Sequence, residues 1–377
     1  ALTGEYHETR VEDIATGARV ADALPHIDFV MPMGSSQDVD GNVADLYEFE
    51  AVVTNTSKPM VFIGYTPLGG EYVFEMAAVV AGGADRLRVR PVVLRDPEAI
   101  SPFVFPQEVV DRIFIAADRY MPQVPGATAQ PGATSPMTLA GTVVQVTAES
   151  LIHIVLAQLR NPGCPVSMSG NVGILDMATA LMAFGAPEGS LGLAAQAQVA
   201  QSFGLPTWGL AGATDAKRLD AQAGIESTFA IFSQALAGLN LIHDVGYMAS
   251  GMACSCEQLV MGNEIIGMTK RFIAGITVNA DTLARDVIDA VGPGGNFLAQ
   301  RHTVNHLRKE LWQARLLNRQ PIATWQAAGG PTMEDRVRDE VRKIVETHQP
   351  EPLGGNILEA VQRLKREGEK EILASRA

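Results

Sequence analysis

Asp28–Gly34 reads DFVMPMG and, after a helical pattern over Val39–Thr56, Pro59–Tyr65 reads PMVFIGY. Each is a short apolar run closed by a glycine or small polar residues, as expected of a strand whose two faces are both covered. Strand, helix, strand in that order is the unit of a parallel sheet, and outward from this pair the unit keeps repeating. A helix is expected near Tyr72–Ala81. Val89–Arg95 (VRPVVLR) reads as the third strand, with Pro91 marking a bulge or an irregular start, and a helix follows over Gln107–Arg119. Met121–Thr128 is a fourth strand interrupted by Pro122 and Pro125.

Leu139–Leu159 is the clearest helix, with Val143, Val144, Leu151, Ile154, Val155 and Leu159 near helical period. Pro162–Gly163 closes it, and Pro165–Gly170 (PVSMSG) reads as strand five. A Gly- and Ala-rich helical stretch runs to Phe203. Thr207–Gly212 (TWGLAG) and Asn240–His243 (NLIH) read as strands six and seven, with helices over Asp220–Leu236 and Glu257–Ile273. A helix over Asp281–Val291, a last strand at Asn296–Gln300 and a helix over His302–Trp312 complete the pattern. Eight strands each followed by a helix fit a closed barrel better than an open sheet, for which no strand–Gly-x-Gly-x-x-Gly–helix unit is present. The expected fold is therefore α/β, a (β/α)8 TIM barrel in one domain over residues 1–377. Residues 1–27 form an N-terminal helical segment, with Ile14, Ala18, Ala21 and Leu24 on one face of Val11–Leu24. Residues 333–377 form a charged C-terminal helical tail turned at Pro350–Gly355.

Composition narrows the function. The 377 residues are 47% hydrophobic, 19% charged and 6% aromatic, with 36 glycines and a net charge of −13. So acidic a chain is a poor partner for nucleic acid, whose binding needs phosphates neutralised; an acidic pocket would instead concentrate a cation. Cys164, Cys254 and Cys256 make no disulfide framework, which favours a reducing cytoplasm. The apolar runs are broken by Gln, Glu, His or Asn, so no membrane association is expected.

In a barrel of this kind the chemistry lies at the C-terminal ends of the strands. The ends singled out are Gly34–Ser35, Tyr65–Thr66, Gly126–Thr128, Ser169–Asn171, Gly212–Asp215, His243–Tyr247 and Gln300–His302. They are mostly small and neutral, with no carboxylate cluster and no triple histidine, which argues against a metal hydrolase. His243–Asp244 can bind an anionic group and orient it, or stand as a satisfied pocket histidine. Tyr65, Trp208 and Tyr247 can cage an ammonium group, or simply pack in the core. Asn171 is a polar group at a strand end, Glu257 follows the Cys-x-Cys, and Glu226 is a carboxylate on an otherwise apolar helix that reads as a structural anchor. Cys254-x-Cys256 lacks structural zinc spacing, and it reads more simply as two small residues at a helix start, where a thiol can be acidified. His302 and His306, at i and i+4, could share a metal but have no acidic partner in the motif. Gly292–Gly295 lacks the Lys-Ser/Thr of a P-loop.

Four stretches carry a resemblance. Pro131–Gly141 (PGATSPMTLAG), Asp215–Ser227 (DAKRLDAQAGIES), Gly246–Glu257 (GYMASGMACSCE) and His302–Trp312 (HTVNHLRKELW) are similar to the trimethylamine–corrinoid methyltransferase family, and the similarity runs from about Gly4 to Trp325. Family members generally carry an additional N-terminal segment, and this chain begins abruptly at Ala1–Leu2–Thr3, so a truncated N-terminus is expected. The resemblance implies a (β/α)8 barrel and a corrinoid (cobalamin) carried by a partner protein. The founding members use pyrrolysine, in a region aligned loosely with Asn240–Ser255. Here every residue is ordinary, which implies the branch acting on quaternary amines such as glycine betaine. A tetraalkylammonium already bears the charge that lets a tertiary amine depart, so no general acid is needed. The protein must hold the cation, align a methyl group and exclude water. The expected function is thus demethylation of a small quaternary amine, with Tyr65, Trp208 and Tyr247 around the ammonium and His243 and His302 on a carboxylate. Asp244 offsets charge and orients His243. No residue is assigned beyond substrate alignment, no metal is expected to bind directly, and a homo-oligomer is expected. The alternatives are another methyl acceptor such as a folate, a non-catalytic betaine-binding barrel, or a lyase or aldolase, the last disfavoured in its Schiff-base form by the lack of a strand-end Lys.

Overall fold

Seven short strand positions lie side by side in parallel, in the order of the chain. Val30 bridges Met60, Met60–Phe62 pairs with Val93–Arg95, and Arg95 bridges Gln123. Gln123 bridges Val166, Met168 bridges Thr207, and Trp208–Leu210 pairs with Leu241–His243. Around them stand eight helices, each packed on the next: Val11–Ala23, Ala44–Val53, Pro67–Ala81, Gln107–Asp118, Leu139–Arg160, Pro187–Ser202, Ala221–Leu236 and Cys256–Ile273. The last packs on the first, so the ring closes. Strands inside a closed ring of helices are the TIM-barrel arrangement that the sequence led us to expect. The computed structural model describes residues 5–375; residues 1–4 and 376–377, the outer tips of the two expected terminal blocks, lie outside the described residues.

The strand period of two decides which side chain goes where. Phe29, Met31, Val61, Leu94, Val124, Trp208 and Leu241 share one apolar cluster, contributed by successive strands and enclosed by the barrel. Their alternates Met60, Phe62 and Val93 belong to the larger core beneath the helices, where Phe62 meets Phe74 edge-on at 5.3 Å and 78°. The seam between the strand at His243 and the strand at Val30 is stitched by an antiparallel hairpin, Tyr247–Met248 against Ala253–Cys254. Tyr247 Oη donates to Pro32 O at 3.1 Å and accepts from Gly34 N at 3.2 Å, while Cys254 Sγ donates to Met33 O at 3.1 Å.

Several boundaries move. Asn296–Gln300 is not a strand: it has no ladder partner among the described residues, and Leu298 is 84% exposed. The glycines before it end a helix, but the chain there runs outside the barrel, where an extended segment has no edge to join. Val89 ends a helix over Ala84–Val89, so the third strand starts at Val93, beyond Pro91. The helix expected over Asp281–Val291 is broken at Ala284, whose φ is +49°. Val11–Ala23 is a full member of the ring rather than an addition to it. Met333–Thr347 packs against it and against Cys256–Ile273, and Gly355–Ala374 lies along Pro67–Ala81. One helix among the described residues, Leu139–Arg160, is long and apolar enough to cross a membrane by length and composition, contrary to the expectation that polar residues break every run. It lies in the ring with Gln145, Glu149, Ser150 and His153 buried.

Candidate active site at the mouth of the barrel

Above the apolar cluster, the strand ends turn polar. Leu94 faces inward, so two residues later Asp96 does too, and likewise His243 two residues after Leu241. The His243 ring stacks on the Trp208 indole at 4.3 Å and 22°, and Phe29 lies against the same indole at 5.8 Å. His243 Nδ1 lies 2.6 Å from Asp244 Oδ1, and Asp244 takes φ +75°, a left-handed conformation costly to most side chains but tolerated by Asp. Several buried polar atoms here have no hydrogen-bond partner in the protein: Asp96 Oδ1, His243 Nε2, Trp208 Nε1, Ser167 Oγ, Ser169 Oγ and Asn171 Oδ1. Such groups are rare in folded interiors and mark where a ligand or water is received.

The charge pattern is the main departure from expectation. Asp96 is buried, and its carboxyl is held well above the usual carboxylate range by that burial, then by repulsion from Glu98 and Asp244, with Arg95 opposing. Glu98 is exposed, yet protein crowds its carboxyl; it too is raised, by desolvation first, with His243 pulling it down and Asp244 pushing it up. Three carboxylates therefore share the mouth, where the sequence reading saw no carboxylate cluster. The stretch Arg95-Asp96-Pro97-Glu98 carried the signal, because it is the end of the third strand, the one strand end not singled out. Gly126 makes the space: a Cβ there would lie 2.2 Å from Asp96 Oδ1 and 3.0 Å from Glu98 Cγ.

Behind the inward face lies a second set of charges. Arg95 is fully buried, its guanidinium carbon 4.9 Å from the Phe62 ring centre and 5.9 Å from that of Phe74. Burial and the neighbouring Arg112 push it down to about 9, against the pull of Asp45. A Cβ on Gly70 would sit 1.9 Å from its Nη1, so that glycine is needed for the arginine to lie there at all. Asp45 is pushed up to about 7 by burial, with Arg95 lowering and Glu48 raising it. Asp45 and Glu48, which the sequence analysis did not single out, sit at i and i+3 on the helix Ala44–Val53, and both are buried.

A cavity of about 900 Å³ opens at this end. Tyr65, Tyr247 and Glu257 line it, whereas Asp96, Glu98, Trp208, His243 and Asp244 are not part of its wall; Met31 lines it and also belongs to the apolar cluster that holds Trp208. Tyr65 Oη lies 2.7 Å from Ser35 Oγ and 3.2 Å from both Glu48 oxygens, so its ring is fixed. Burial raises both tyrosine hydroxyls, which stay protonated. Glu257 Oε2 accepts from Ser255 Oγ at 2.7 Å, leaving Oε1 buried and unpartnered. Cys254 and Cys256 are pushed up to about 11 and 12, chiefly by burial. The acidified thiol considered for the helix start is thus not present.

Other expected residues fall elsewhere. Trp208 has ring partners and is 1% exposed, so its free part is the Nε1 edge, not a cage face. Asn171 pairs in register with Thr128. Glu226 is an anchor: its carboxylate accepts from Thr214 Oγ1 at 2.5 Å, Asp215 N at 2.8 Å and Gln222 Nε2 at 2.8 Å. His302 and His306 are not brought to the cavity. They lie on the outer helix Arg301–Glu310, which buries no side chain, so His302 is not placed to hold a substrate carboxylate.

Comparison with known proteins agrees with this arrangement. The family description "Trimethylamine methyltransferase (MTTB)" matches residues 2–371. A trimethylamine methyltransferase MttB of Desulfitobacterium hafniense is 37% identical over 100% of this chain and 75% of its own length. A glycine betaine methyltransferase from another strain of that species is 30% identical over 98% of this chain and 78% of its own. The MttB of Methanosarcina thermophila is 34% identical over 93% and 73%. Among solved structures, the hydroxylamine complex of MtmB superposes with a TM-score of 0.51 at 12% identity, covering 91% of this chain and 73% of that one, which bears on the fold alone. With a match over residues 2–371 and relatives 30% identical or more along nearly the whole of it, the chain belongs to the trimethylamine methyltransferase (MTTB) family.

Proposed function

We propose that this methyltransferase takes a methyl group from a small quaternary amine, glycine betaine or a close relative, and passes it to a corrinoid carried by a separate protein. The observation that carries the reading is the grouping of Asp96, Glu98 and Asp244 beside the His243–Trp208 stack. Mutual repulsion among these carboxylates is relieved by a cation in the mouth, and a quaternary ammonium keeps its charge at every pH. A tertiary amine carries that charge only while it is protonated, so its attraction to the carboxylates depends on pH. Every residue of the chain is ordinary, so nothing here activates a tertiary amine covalently.

In this reading the rings of Tyr65 and Tyr247 stand against the ammonium methyls, attracted through their π faces. Asp96 and Glu98 supply the countercharge. His243 Nε2 and Trp208 Nε1, unpartnered atoms of two stacked rings, receive the substrate carboxylate. The corrinoid, when docked, supplies a Co(I) nucleophile. A cavity of about 900 Å³ suits a drug-sized ligand; a whole corrinoid is much larger, which fits carriage by a partner that covers the mouth. The residues' work is to hold one methyl toward that mouth and keep water out, with no proton to transfer. The three unpaired cysteines accord with a cytoplasmic setting.

Isothermal calorimetry tests the substrate class. Glycine betaine should bind and trimethylamine should not; tight binding of trimethylamine with no binding of any betaine would end the quaternary-amine reading.

A further inference from the structure

The segment between the barrel and the C-terminal helices holds a cluster that the methyl-transfer reading does not use. His302 and His306, one turn apart, stack at 4.2 Å and 28°. The acidic partner missing from their motif comes from 21 residues earlier: His306 Nε2 lies 3.2 Å from Asp281 Oδ2, and His302 Nε2 lies 3.2 Å from the Asp281 carbonyl oxygen. One ligand atom from each of the three side chains falls within 4.8 Å of the others.

From this geometry we infer that Asp281, His302 and His306 bind one divalent transition-metal ion, zinc in the first instance, counter to the sequence-based expectation of no metal. Two imidazoles and a carboxylate are the donor set that zinc takes, at bond lengths near 2.0–2.1 Å, and atoms on such a tetrahedral shell stand about 3.3 Å apart. The His306–Asp281 separation of 3.2 Å already matches that edge. His302 has only to exchange its bond to the Asp281 carbonyl for the ion. Three protein ligands leave a fourth position to water.

The surroundings say what the ion does. The helices Ala280–Leu283, Arg285–Val291 and Arg301–Glu310 bury no side chain, so the apolar packing that fixes most helices is absent there. A metal tie between the first and the last of them closes the intervening loop and holds the segment in place. The ligands lie outside the barrel and off the cavity wall, so the ion is a structural clip and takes no part in methyl transfer.

The test uses the whole chain, stripped of metal with chelator and titrated with zinc by calorimetry. One equivalent should bind, and hydrogen exchange over residues 280–310 should slow on binding while the barrel helices are unchanged. His306→Ala should weaken zinc by more than the 10–100-fold that loss of an outer-shell partner costs, and the double variant His302→Ala/His306→Ala should abolish the site at unchanged melting temperature of the apo protein. Equal zinc binding by the double variant, or no binding by the parent at micromolar zinc, overturns the assignment.

Discussion

Trp208 and His243 lie face to face at 4.3 Å, and each presents a ring nitrogen that is buried without a protein partner. Phe29 lies against the indole and Asp244 holds Nδ1, so both rings are fixed beside the acidic group. In the proposed function, that pairing separates the part of the site assigned to the substrate's carboxylate from the part assigned to its ammonium group.

Replacing His243 with Gln keeps a polar group but loses the ring nitrogen Nε2 and the stack on Trp208. A hydrogen bond to a charged group contributes about 1.5–3 kcal/mol, so KM for a betaine should rise roughly 10- to 100-fold. A quaternary amine without a carboxylate should be affected little. Steady-state kinetics on both substrates checks this, and an equal loss on both would refute a carboxylate role.

Trp208→Phe retains the stack and removes Nε1–H. Betaine affinity should fall by about tenfold with little change in melting temperature, whereas Trp208→Ala should cost about 3–5 kcal/mol of stability by emptying the middle of the barrel. Thermal unfolding beside calorimetric affinity distinguishes the two effects.

Gly126→Ala places a methyl group 2.2 Å from Asp96 Oδ1 and 3.0 Å from Glu98 Cγ. Asp96 must move, and overpacking of this kind costs about 1–3 kcal/mol. We expect the cation to be bound at least tenfold more weakly in a protein that still unfolds cooperatively. Unchanged affinity would mean that Asp96 is not part of the cation's surroundings.

Asp45 gives a pH signature. Its ordinary value of 3.8 is raised to about 7 in the folded protein, so across that window the native chain holds a proton that the unfolded chain has released. Stability contributed by this group is therefore present at the acid end and lost as pH rises toward 7. Asp45→Asn should flatten the decline in urea midpoint between the two values; an unaltered slope would show that another group carries it.

The barrel was legible because its strands are buried on both faces and its helices on one, so the repeat of short apolar runs and amphipathic stretches survives in the residues themselves. Pro59–Tyr65 and Thr207–Gly212 contain the observed strands Met60–Phe62 and Trp208–Leu210. Asn296–Gln300 has the same local look without a neighbouring strand to pair with, and no local pattern reports that. Within the site, Tyr65, Tyr247 and His243 were found because strand ends are where side chains meet. Asp96 and Glu98 were missed at the end of the third strand, and Asp45 and Glu48 because burial of one helix face against Tyr65 and Arg95 is a tertiary fact. His302 is the reverse case: its motif resembles the family, but an outer helix carries it away from the mouth.

The most direct test of the account is a spectroscopic assay of Co(I) cobalamin incubated with the protein and either glycine betaine or trimethylamine. Co(I) should be consumed, with a tertiary amine released, only when the quaternary amine is present, and Asp96→Asn should slow it. Consumption with trimethylamine and none with any betaine would contradict the central claim.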